Sequence, residues 1–135
     1  MIAARPFPTA IPKPTPAELG ILRVLWRMGS ATVREVHAAL SEREDTGYTT
    51  VLKFLQIMHS KGLVERDASR RAHVYRPLVS QTAVQQQMTA QLVDRVFDGS
   101  SSKLVLTALD DSGQTTPAEL AEIRAMLDRL EVRGG

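Results

Sequence analysis

The sequence predicts a mainly α protein in which three helices and a short β-hairpin are followed by three more helices. Three observations predict it. Apolar residues recur at helical spacing in six stretches, most of them opened by a Ser or Thr cap. Directly after Gly62 the period changes to that of strands, in Leu63-Val64-Glu65-Arg66-Asp67 and His73-Val74-Tyr75-Arg76-Pro77. From Ser80 onward the pattern is helical again and rich in aliphatic side chains.

Composition bounds what such a chain can be. Its 135 residues suit one domain or two small ones, and 43% hydrophobic content is enough for a core. Aromatics are only 4%, so that core must be mostly aliphatic. Without cysteine there are no disulfides, thiolate metal sites or cysteine nucleophiles. No apolar run is long enough to cross a bilayer, and the N-terminus lacks a sustained apolar region of the secretory kind, so a cytoplasmic location is expected. Net charge is +2 but unevenly placed. Residues 1–80 carry 12 Lys/Arg against 7 Asp/Glu, and residues 81–135 carry 5 against 8. Only the first part is suited to approach a polyanion.

Taken in order, residues 1–14 hold Pro6, Pro8, Pro12 and Pro14 and read as a flexible arm. Arg5 and Lys13 on it could touch phosphates, or the arm is a passive tail. Thr15-Pro16-Ala17-Glu18 opens the first helix with a capping box and Pro at the first helical position. Leu19, Leu22, Leu25 and Trp26 form its apolar face, and Gly29 can end it. Thr32 and Glu35 repeat the capping box for the second helix, whose inward stripe is Val33, Val36 and Leu40. Arg34 and His37 point elsewhere. Arg34 could reach a phosphate or be a solvated surface residue.

The third helix, read over Thr46 to Lys61, carries two stripes. Val51, Leu55 and Met58 follow a buried spacing, whereas Thr49, Lys53, Gln56 and Ser60 make a polar stripe free of carboxylates. Base edges and phosphates require such a surface: donors and acceptors to read with, and no anion to repel the backbone. The hairpin that follows turns through Ala68-Ser69-Arg70-Arg71-Ala72, which is polar and basic. Three helices followed by a two-stranded hairpin is the order of an α+β winged helix. There the third helix enters the major groove and the hairpin tip lies near the backbone or minor groove. Arg70, Arg71 and His73 would then supplement the helix residues in DNA contact.

Ser80 can cap a fourth helix with Val84, Met88, Leu92 and Val96 every four residues. A short fifth helix carries Leu104, Val105, Leu106 and Leu109. Thr116-Pro117-Ala118-Glu119 caps a sixth, lined by Leu120, Ile123, Leu127 and Leu130. The expected organisation is therefore an arm at 1–14, a winged helix at 15–79 and a three-helix domain at 80–135. Little more than about fifty residues make a poor core alone. Packing against a second copy solves this, and Val84, Met88, Leu92, Val96, Leu104, Leu120, Ile123 and Leu127 are the expected dimerisation residues. The alternative is a monomer whose helices fold back on the winged helix.

Several stretches together resemble the penicillinase-repressor family (BlaI/MecI): Glu18-Leu19 through Leu25-Trp26, Thr32-Val33-Arg34-Glu35-Val36, Tyr48-Thr49-Thr50-Val51, Lys61-Gly62-Leu63-Val64 and Ala72-His73-Val74-Tyr75. The likeness spans about residues 15–130 and is looser in the C-terminal half. It implies a homodimeric repressor that binds an inverted-repeat DNA operator. Tyr48, Thr49 and Thr50 would start the reading helix, with Lys53 and Gln56 continuing its face. The resemblance also implies a membrane sensor metalloprotease as partner, with cleavage in the fifth helix breaking the dimer. Three departures stand out. Lys53 and Ile57 replace residues that many relatives have as Thr and Arg. Thr107-Ala108 occupies the place of the Asn-Phe pair at which relatives are cut. The cysteine cluster of copper-sensing relatives is missing, which excludes that chemistry.

Two other classes compete. A winged helix can serve protein–protein contact without nucleic acid. An enzyme would need more than His37, His59 and His73, which have no partner at useful spacing, and no Gly-rich phosphate loop is present. No metal, cofactor or small-molecule effector is predicted.

Overall fold

The computed structural model describes residues 11–43 and 45–134. The chain forms α1 (Pro16–Met28), β1 (Ala31–Thr32), α2 (Val33–Ser41), α3 (Tyr48–Lys61), β2 (Val64–Asp67), β3 (Val74–Pro77), α4 (Gln81–Val96), α5 (Ser101–Ser112) and α6 (Pro117–Gly134). The expected winged-helix order is present, with one addition. The hairpin is the larger part of a three-stranded antiparallel sheet in the order β1-β3-β2. Ala31 and Thr32 pair with Tyr75 and Val74, so β3 is central. Thr32 both ends β1 and caps α2, accepting from the Glu35 amide at 3.2 Å while Glu35 Oε1 accepts from the Thr32 amide at 2.8 Å.

The chain packs as two compact units that meet in sequence at Ala90–Gln91, inside α4. In the first, Ile21, Leu22 and Leu25 of α1, Val36 of α2, and Val51, Leu55 and Met58 of α3 close on Leu63, Val64 and Tyr75. Burial of each such side chain contributes about 1.5–3 kcal/mol, which fixes α3 against the sheet and leaves its other face outward. Leu19, Leu40 and Trp26, expected as core, are only partly buried against it. The Trp26 indole N–H donates to the Val79 carbonyl at 2.9 Å.

Two expectations need correcting. Val84, expected on a dimerisation face, lies fully buried in the core of the first unit, and Met88 packs partly against it. The four-residue spacing identified an apolar stripe but not its neighbour, and the start of α4 finds the winged helix first. Residues 11–14 do not behave as a flexible arm. Pro14 is buried, Ile11 packs on the core, and the Lys13 carbonyl accepts from Lys61 Nζ at 3.2 Å. The rest of the arm, including Arg5, lies outside the described residues.

The second unit begins at Gln91. α5 is capped by Ser100, and Gly113 ends it at φ 58°. Thr116 and Glu119 form a reciprocal capping box at α6, with bonds of 2.9 and 3.1 Å. α6 has no buried residue among those described.

Candidate nucleic-acid interface

The outward face of α3 presents Thr49, Thr50, Lys53, Gln56 and Ser60, all exposed. Gly47 caps the helix without a side-chain hydrogen bond, and no acidic residue lies in the first turn. The N-terminal end of α3 thus offers uncapped N–H donors and the positive end of its dipole, a combination that favours an anion.

Beside that end runs a groove of about 420 Å³ lined by Thr32, Val33, Arg34, Tyr48, Leu52, Arg71, Ala72, His73 and Tyr75. It brings together four residues that sequence placed on three separate elements: Arg34 from the first turn of α2, Tyr48 from the start of α3, and Arg71 and His73 from the wing. All four are exposed, and no carboxylate lines the groove. A cleft with Arg34 and Arg71 in its lining at a helix N-terminus suits the phosphodiester backbone.

Arg70 stands on the other side of the wing tip, above a wider cleft of about 660 Å³ that also holds Glu35, Glu65 and Asp67. The structure therefore separates the Arg70-Arg71 pair. Arg71 shares a cleft with the α3 N-terminus, whereas Arg70 faces mixed charge.

The wing is shaped by its own side chains. Asp67 Oδ1 accepts from the Ser69 hydroxyl at 2.6 Å and from the Ser69 amide at 2.9 Å, which folds the tip. The two bonds from Ser69, hydroxyl first, hold the Asp67 carboxyl below its ordinary value. At the base, Glu65 and Arg76 sit opposite one another in the β2–β3 register. Arg76 Nε donates to Glu65 Oε2 at 3.1 Å, so its charge is engaged within the sheet.

His37 has a role that the sequence reading did not assign. Its Nε2 lies 2.8 Å from the Thr46 carbonyl, and its ring meets that of Tyr48 edge-on, centroids 5.8 Å apart. A carbonyl only accepts, so Nε2 carries the proton. The ring ties the loop before α3 to α2 and sets Tyr48 beside the groove. The signal would have been a histidine on α2 facing an aromatic at the next helix start, which no local spacing encodes.

In the second unit, Leu92, Val96 and Leu127 of the expected dimerisation set are exposed, while Leu104, Leu120 and Ile123 are half-buried. Val105, Leu106, Leu109, Met126 and Leu130 are exposed as well, Leu106 by 69%. Thr107 and Ala108 lie exposed within α5. Among the described residues no cluster of His, Asp and Glu could hold a metal ion, and no helix is long and apolar enough to cross a membrane.

An outward polar recognition helix, a cationic cleft at its start and a basic wing define a winged-helix transcriptional regulator. Residues 14–129 match the profile of the penicillinase repressor family. The chain belongs to that family, one of transcriptional repressors and not of enzymes. It is 34% identical over 120 residues to the transcriptional regulator BlaI of Mycobacterium tuberculosis, across 87% of this chain and 85% of the relative. It is 25% identical over 123 residues to the penicillinase repressor of Bacillus licheniformis, across 91% and 95%. The solution structure of the DNA-binding domain of the repressor BlaI matches at a TM-score of 0.50 and 27% identity, over 55% of this chain and 90% of that domain.

Proposed function

We propose that the chain is a homodimeric repressor that lays α3 in the major groove and the wing along the backbone of an inverted-repeat operator. The observation that carries this reading is the carboxylate-free cleft joining Arg34, the start of α3, Arg71 and His73. In this arrangement Thr49, Thr50 and Gln56 face base edges and Lys53 reaches the backbone beside them. Tyr48, Arg34, Arg71 and His73 hold a phosphate run in register, and Arg70 acts at longer range. Dimerisation is supported by the second unit, whose aliphatic residues stand largely in water in a single chain. Two copies related by a two-fold axis present two recognition helices, and such a pair reads an inverted repeat.

Release of the repressor would follow if a protease cut α5 at Thr107–Ala108, because the apolar side chains around that bond supply much of the exposed surface. The pair differs from the Asn-Phe implied by the resemblance, so a sensor metalloprotease partnered with this chain must accept Thr-Ala or act elsewhere.

The test is binding of the full chain to DNA from its own upstream region over a range of salt. Lys53→Ala and Arg71→Ala are each expected to weaken binding and to reduce the log–log salt slope by about 0.9, the value for one lost phosphate contact. An unchanged slope in both variants contradicts the assignment. A wild-type chain that ignores this DNA at low ionic strength is a protein-docking winged helix instead.

A further inference from the structure

The N-terminal segment is fastened to α4 by a pair of bonds that DNA contact does not require. The Ile11 amide donates to Gln87 Oε1 at 2.8 Å, and Gln87 Nε2 donates to the Ile11 carbonyl at 2.7 Å. A side-chain amide here satisfies both backbone groups of one residue, 76 positions away. The fastening continues at Lys13, through Lys61, and at buried Pro14. On α4, Gln87 sits between Val84, which is in the core, and Met88, which packs against it. One apolar stripe alone lets a helix roll and tilt on its support. A directional double hydrogen bond beside that stripe removes this freedom.

We propose that Gln87 is a positioning residue: by clamping Ile11 it fixes how the first half of α4 lies on the winged helix, and so narrows the range of half-site spacings the dimer accepts. The inference rests on the dimeric, DNA-reading function proposed above. α4 is continuous from Gln81 to Val96 and passes from the first unit into the second at Gln91. From Gln87 to its end it rises roughly 13 Å, so a roll or tilt at the clamp grows along the helix. Without the clamp, each protomer accepts a wider range of half-site spacings.

The experiment compares the wild type with Gln87→Leu, which keeps the bulk and removes both bonds, and with a chain lacking residues 1–12, which keeps Gln87 and removes its partner. Each is titrated onto a single half-site and onto paired half-sites whose separation varies in single base pairs. All three proteins are expected to bind the half-site within about twofold of one another. The wild type should lose about tenfold in affinity for each base pair of altered spacing, and both variants less than about threefold, as expected from two lost hydrogen bonds. A variant that keeps the wild-type spacing profile overturns the proposal. Amide exchange along residues 84–92, measured without DNA, should quicken about tenfold in both variants. Unchanged exchange overturns the clamp whatever DNA does. If the wild type shows no preference for paired half-sites while exchange quickens, the clamp stands and the dimeric operator reading is what fails.

Discussion

At Glu18 one carboxylate closes the start of α1 and anchors the end of α3. Its Oε1 accepts from the Thr15 amide at 2.9 Å and from Lys61 Nζ at 2.6 Å, and the residue is 2% exposed. Burial alone would raise its pKa, but the bond from Lys61, the Thr15 amide and the Lys61 charge together outweigh burial and hold it below 4.5. A carboxyl lowered in the fold contributes stability that is complete above its unfolded pKa and is lost as pH falls through the folded one. Lys61→Met leaves the buried anion without its cation. The loss should be about 2–3 kcal/mol near neutrality, less than for a fully buried pair because the Lys61 side chain keeps 31% exposure. Urea unfolding at neutral pH and near pH 3 checks this. The gap between wild type and variant should narrow as pH falls through the lowered pKa of Glu18, and a gap that stays constant down to the acid limit of folding would refute the pairing. Half of this arrangement was legible. The capping box is a local motif spanning three residues, whereas the Lys61 bond joins positions 43 apart, and no local pattern marks it.

Among the elements, α3 was the most legible because both of its faces obey one period and both of its ends are glycines. Gly62 takes φ 86°, and its own amide and that of Leu63 return to His59 and Met58 at 3.2 and 2.9 Å, closing the helix in a Schellman-type turn. That turn aims β2 back along the core. Gly62→Ala should therefore cost about 1–2 kcal/mol. Gly20 lies inside α1 with nothing within 4 Å of an added Cβ, so Gly20→Ala should stabilise by about 0.5–1 kcal/mol. Thermal melts of the two variants should move in opposite directions, and a common direction would contradict this view of the helix ends. β1 escaped the sequence reading because its two residues carry no period, and Thr32 was already accounted for as a cap. The start of α4 was assigned to the wrong neighbour for a related reason. Periodicity shows that Val84 is buried without showing by what.

For the whole molecule, composition had already indicated a first part fit to meet DNA and a second part short of core, and the exposed leucines of α5 and α6 bear the same sense. What composition could not supply was the cleft, because Arg34, Tyr48, Arg71 and His73 meet only once the sheet and helices have packed. If two copies cover the second unit, Leu106→Lys combined with Leu127→Lys should leave the helical signal intact and shift sedimentation from dimer to monomer, with a dimer dissociation constant raised at least ~100-fold. In a chain that works alone, the same exposed positions would tolerate lysine within about 0.5 kcal/mol and sediment unchanged. The central claim, paired recognition helices on symmetric DNA, is met most directly by enriching random duplexes on the full chain and sequencing what is retained. Two inverted copies of one short motif, centred one helical turn or a multiple of about 10–10.5 base pairs apart, are the expected product. A single asymmetric motif, or no enrichment over the input, would contradict it.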